Sequence, residues 1–313
     1  MRTHNPQPYE SVLRAWDNQS AVRSKSRRVL DDVSEGHAFF SAKLTPIATH
    51  PIVVDRGAKV VHELLTRRLF QYLDFTAVLE QEIVNPVVLR LSRDAYGLTV
   101  PNRMKLDAYR IYCDEAYHAL FSADIKHQIE RYSNVRGASM RRPRFEVAIS
   151  EAKSRLPSTL SGLVDLCAAF VSETLISGTL SALPADPTVA MVVRESMADH
   201  AADERTHHAY FVKVFDLYWN QLDRHVRQEL GPCFADFIIA FLCPDLRAQQ
   251  HLLRQMGFDG KEVAEIVSES YNDKQVTADV QRAARYTLGV LRRNNVLEMG
   301  ATETRFAQLH LIP

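Results

Sequence analysis

The sequence predicts an all-α protein, and three observations predict it. Apolar residues recur at steps of three and four, the period of a helix with one buried face. Glycine is scarce, 11 in 313 residues, and sits mostly at the ends of the periodic stretches, which disfavours many-turned β structure. Two copies of the word Asp-Glu-x-x-His make chemical sense only on helices, where Glu and His three apart share a face.

The elements follow in order. A first amphipathic segment is expected from about Tyr9 to Val33, then a loop from Gly36 to Pro51 containing Pro46. A long helix covers roughly Asp55 to Asp94, interrupted near Pro86, because proline removes a backbone donor. After Gly97 and Pro101, Asn102 is a predicted N-cap for a helix running to about Tyr132. The basic stretch Arg136 to Arg144 reads as a loop. A helix from Arg144 to Arg155 stops at Pro157, and Ser158 caps the next, which ends before Pro184. Thr188 is expected to start the helix that carries the second word to about Leu222. Shorter helices near 224–241, 245–256, 259–270 and 276–296 precede a tail. No linker or repeat divides the chain, so one domain is expected: an N-terminal extension (1–54), a bundle (55–222) and C-terminal helices (223–313).

Composition excludes several function classes. Hydrophobic residues make up 46% and charged residues 24%, an ordinary globular balance. Lys plus Arg equals Asp plus Glu at 38 each, so no global field recruits nucleic acid or an anionic membrane. Residues 166–185 are apolar enough to suggest a span but carry Glu173 centrally, which favours a buried core helix. Residues 234–243 fall short of the roughly 20 needed to cross a bilayer. No membrane association is expected. Met1 to Glu10 is polar and lacks a secretory core, and Cys113, Cys167, Cys233 and Cys243 show no paired spacing. The expectation is four buried thiols in a cytoplasmic protein.

The chemistry lies in the repeated words Asp114-Glu115-Ala116-Tyr117-His118 and Asp203-Glu204-Arg205-Thr206-His207. In the first helix the row Met104, Ala108, Ile111, Glu115, His118, Ser122, Ile125 is otherwise apolar or small, so Glu115 and His118 point inward. A buried carboxylate without a partner costs several kcal/mol, which argues for a cation beside it. In the second helix His200, Glu204 and His207 fall within roughly 60° of arc. Glu173 is the one charged residue between Asp165 and Asp186. On the long helix Glu80 and Glu82 both lie on apolar rows, and periodicity does not choose between them. Two such words, each preceded by a helix with a lone Glu, form the ligand pattern of dinuclear carboxylate bundles. Carboxylates and imidazoles without thiolate suit iron or manganese. Asp114 and Asp203 are expected to pair crosswise, with His207 and His118 respectively, fixing each ring.

Glu80, Glu115, His118, Glu173, His200, Glu204 and His207 follow, in order and nearly in spacing, the seven-ligand pattern that the sequence resembles: that of the p-aminobenzoate N-oxygenase (arylamine oxygenase) family. The histidine at 200 separates that family from two-histidine di-iron hydroxylases and ferritins, and the resemblance selects Glu80 over Glu82. It covers roughly residues 55–300. It implies a ferritin-like helical bundle with additional surrounding helices, two iron ions, dioxygen as co-substrate and an external electron donor. It also implies a homodimer that oxidises the amino group of a small molecule to hydroxylamine, nitroso or nitro in natural-product biosynthesis. Tyr72 matches a substrate-pocket position. The competing expectations are a di-iron C–H hydroxylase or desaturase, a ferroxidase or iron-binding protein, and a manganese catalase-like protein.

Overall fold

Glu80 enters the core through a widened turn of helix, and that turn organises the bundle. The computed structural model describes residues 9–31, 37–137, 142–175 and 177–312, so Val33 and Gly36 lie outside the described residues. In chain order its α-helices are α1 (Trp16–Gln19), α2 (Ala21–Ser24), α3 (Pro51–Val54), α4 (Ala58–Val78), α5 (Asn85–Ser92), α6 (Asn102–Ser133), α7 (Arg144–Arg155) and α8 (Ser161–Leu175). These are followed by α9 (Ser177–Ala182), α10 (Met191–Trp219), α11 (Arg224–Leu242), α12 (Leu246–Gln255), α13 (Gly260–Ser270), α14 (Asp273–Arg293) and α15 (Gly300–Gln308). The expected all-α class holds: among the described residues the one β interaction is an isolated parallel bridge between Ala38 and Val189.

The predicted long helix is three pieces, with a π-helical segment Leu79–Val84 between α4 and α5. Pro86 has no N–H to return to the carbonyl four residues back, and the Asn85 N–H reaches the Glu80 carbonyl five residues back. Glu80 is thereby fully buried, while Glu82 is exposed. α4 packs on α6, α8 on α10 and α6 on α10, with the π segment against both α6 and α8. A four-helix core results.

Several boundaries differ from expectation. The stretch from Tyr9 is no amphipathic helix; it forms the single turns α1 and α2 and then runs extended, because its side chains serve α6 and α10 instead of one another. Asn102 is the first helical residue, with Pro101 before it, and donates no cap. Thr188 is held by the Asp186 carboxylate through its N–H and hydroxyl, so α10 begins at Met191. Ser158 opens a 3-10 turn that leads into α8. Helix α7 has the predicted bounds. The predicted tail contains α15. Of the four thiols, Cys167 and Cys233 are buried, whereas Cys113 is exposed and Cys243 half-buried; all are free.

Among the described residues one helical stretch, Ser158–Ala182, is long and apolar enough to cross a membrane, but 65% of its most apolar window is buried inside the protein. Val164, Leu166, Phe170 and Val171 are core residues there, packed by α10, α11 and α14. It behaves as a core helix.

Candidate metal centre

The core helices and the π segment aim seven carboxylate and imidazole side chains at one point. Glu80 comes from the π segment, Glu115 and His118 from α6, Glu173 from α8, and His200, Glu204 and His207 from α10. All seven are at most 3% exposed, in a core otherwise apolar. Their donor atoms form two overlapping groups within 4.8 Å: Glu80, His118, His200 and Glu204, and Glu115, His118, Glu204 and His207. A third group joins Glu80, Glu115 and Glu173. The His118 and His200 rings lie 4.0 Å apart, so the third imidazole belongs to the same cluster.

Asp114 and Asp203 pair crosswise. His207 Nε2 donates to Asp114 at 3.0 Å, and His118 Nε2 donates to Asp203 at 3.1 Å. Asp114 also accepts from the Trp16 indole at 2.9 Å and from the Ser20 hydroxyl at 2.5 Å. Asp203 accepts from the Ala21 backbone N–H at 3.1 Å. These N-terminal partners were missed by periodicity, since they come from irregular backbone. The available signal was a tryptophan and a serine in a segment too polar to be a core helix.

The hydrogen bonds fix the tautomers. With each Nε2–H given to an aspartate, Nδ1 of a neutral ring presents a lone pair. His118 Nδ1 faces Glu115 Oε2 at 2.9 Å, and His207 Nδ1 lies 2.9 Å from Glu115 and 3.2 Å from Glu204. Lone pairs facing carboxylate oxygens repel unless a proton or a cation lies between them. Burial and Glu115 push Glu80 well above the usual carboxylate range, and burial with Glu204 and Glu115 does the same to Glu173. Glu115 is also raised, by burial and then by Glu204. Against its own burial, Glu204 is held well below that range by His207 and His200. Burial lowers His200, but the neighbouring Glu204 and Glu80 carboxylates outweigh that and raise it to about 10. His207 is likewise raised well above its ordinary value, by Glu115 and Glu204 against burial.

The donor set fits two divalent cations. Both oxygens of Glu80 and of Glu173, Glu204 Oε2 and His200 Nδ1 are buried without a hydrogen-bond partner. Four glutamates balance two double positive charges, and no thiolate is present, which suits iron or manganese.

Two cavities flank the centre. One, of about 380 Å³, is lined by Tyr72, Phe75, Phe145, Phe241, Arg68 and Gln249 among others. Tyr72, Thr76 and Glu80, four apart on one face, lead from it to the centre, and the Tyr72 and Thr76 hydroxyls are buried. Burial raises the Tyr72 hydroxyl, and Glu80 and Glu204 raise it further. Arg68 Nε and Gln249 Oε1 are buried without partners. A second cavity, of about 280 Å³, is lined by Glu173, Glu204, Arg205 and His208. His208 is half-buried, with its ring 4.5 Å from Tyr286.

No curated protein matches the chain. A family model described as p-aminobenzoate N-oxygenase AurF matches residues 8–293, which span α1, α2 and the extended run after them (the N-terminal strap), all four core helices and α11 to α14. On that match the chain belongs to the p-aminobenzoate N-oxygenase AurF family.

Proposed function

We propose that this protein is a non-haem di-iron N-oxygenase that uses dioxygen to oxidise an amino group of a small molecule to hydroxylamine, nitroso or nitro. Family membership and the two overlapping His/Glu groups support di-iron oxygenase chemistry in general. The observation that carries the finer reading is the third imidazole, His200, buried against Glu80 and Glu204. In this reading Glu80, Glu115, His118, Glu173, His200, Glu204 and His207 hold the two irons, and Asp114 and Asp203 orient His207 and His118. When bound, the pair supplies the two-electron chemistry that dioxygen activation requires.

The chain's own residues account for substrate placement. The cavity beside Tyr72 is the substrate pocket: Phe75, Phe145 and Phe241 pack edge to face along it and suit a flat ring. Arg68, bonded to Gln71 and making no ion pair among the described residues, presents a cation to an acid group on that ring. An arylamine, or an amine derived from an aromatic amino acid, fits. Phe121 packs 5.5 Å from both His118 and His200.

The test is a single-turnover reaction of iron-loaded, chemically reduced protein with labelled dioxygen and a panel of aromatic amines, read by mass spectrometry. Label on nitrogen is the expected result. Label on carbon alone assigns the protein as a hydroxylase, and rapid iron oxidation without incorporation assigns it as a ferroxidase.

A further inference from the structure

Conversion of an amine to a hydroxylamine, R–NH2 + O2 + 2e⁻ + 2H⁺ → R–NHOH + H2O, needs two electrons from outside the chain. We propose that they arrive from an acidic iron–sulfur carrier protein of the ferredoxin class, docked on the outer face of α14 where Tyr286 covers His208. The proposal rests on the di-iron reading above.

Three observations place the docking site. The arginines of α14 all face solvent and line none of the cavities beside the metal centre. Arg282 and Arg293 are compensated by Asp279 and Asp216, but Arg285 and Arg292 make no ion pair among the described residues. Helix α14 packs on α8 and α11 and meets α10 through side chains at two points, His208 against Tyr286 and Asp216 against Arg293 and Asn294. Arg205, on α10 one turn before His208, is also exposed and makes no ion pair among the described residues. In a chain of zero net charge, Arg205, Arg285 and Arg292 make a local positive field. Such a field complements an acidic partner.

The same face offers a short way in. Tyr286 is 52% exposed, although its ring packs on His208. His208 is the peptide neighbour of His207 and shares a cavity with Glu173 and Glu204. A carrier seated on Tyr286 is therefore separated from the centre by one aromatic pair. Each docking passes one electron, oxidising the iron–sulfur cluster, and two dockings complete the equation. On the strap side, Arg27 and Arg28 are tied to Asp124, Asp199 and Glu195.

The test uses the iron-loaded protein and a plant-type [2Fe–2S] ferredoxin kept reduced by its reductase. The variant Arg285→Glu/Arg292→Glu should be reduced by ferredoxin at least ~10-fold more slowly and with little salt dependence. Reduction by methyl viologen, too small to need a docking face, should be undiminished. Calorimetric titration of the oxidised, iron-loaded chain with oxidised ferredoxin should show binding that the same two substitutions weaken. Tyr286→Leu should slow reduction by ferredoxin while leaving that affinity within about twofold. A wild-type ferredoxin rate in the double variant, an equal loss with both reductants, or a wild type reduced by viologen alone would overturn the docking site. A wild type reduced by neither donor would overturn the di-iron reading instead.

Discussion

The indole nitrogen of Trp16 lies 2.9 Å from both carboxylate oxygens of Asp114, the residue that receives the Nε2–H of His207. The N-terminal strap thus orients an imidazole of the metal centre at two removes. Ser20 shares Asp114, and the Ala21 N–H serves the equivalent Asp203. Such outer partners set ring orientation and basicity as much as the ligands themselves do.

Trp16→Phe keeps the ring's packing and removes the donor. The variant should fold, and its metal affinity should fall roughly 10- to 100-fold, the usual cost of losing an outer partner. Competition with a coloured chelator measures it. Unchanged affinity would mean that Ser20 and His207 hold Asp114 without the indole.

Metal analysis of protein produced with adequate iron should approach two irons per chain. Glu173→Ala and His118→Ala should each lower that content by about half or more, because both side chains are fully inside the cluster. Glu82→Ala, on the exposed side of the π segment, should leave it unchanged. Wild-type content in both core variants would remove the centre from consideration.

His200→Ala should retain the fold and much of the iron, since Glu80, Glu204 and His118 still converge on that side. N-oxygenation should fall by roughly 100-fold, the upper end of losses seen when a metal's surroundings are altered. A fully active variant would return the protein to the two-histidine class.

Loading the metal-free protein with ferrous iron near pH 7 should release protons. Glu80, Glu173 and Glu115 are raised, so their metal-free forms retain protons above the usual carboxylate range, and the raised His200 and His207 are protonated there as well. A cation requires all five deprotonated. An indicator dye in weak buffer reads the release, and apparent affinity should rise with pH across the neutral range. Proton uptake, or a flat response, would contradict the assignment of these groups.

How far the sequence reached follows from its periodicity. Glu115, His118, Glu204 and His207 were legible because α6 and α10 are regular helices, and a fixed angle per residue finds their inner faces. The choice between Glu80 and Glu82 was not, because a π turn spends an extra residue and breaks that angle at the position in question. The strap was misread for a related reason: its contacts are long-range hydrogen bonds to single aspartates, which leave no repeating pattern. The cavity beside Tyr72 draws its walls from α4, α7, α11 and α12, and no local pattern records such a meeting.

The strap also sets an order of assembly. Trp16 bonds to a residue 98 positions later, and Ala21 to one 182 positions later, so this segment is made well before its partners exist. Contacts of such separation are closed late, after local helices have formed. Until then the carboxylate cluster stands open to water on that side, and metal has a path in. Closing of the strap then turns an open chelating surface into a kinetically sealed one. Iron exchange in the finished protein should accordingly be slow and limited by release of residues 16–21, the earliest-made part of the centre acting as its final latch.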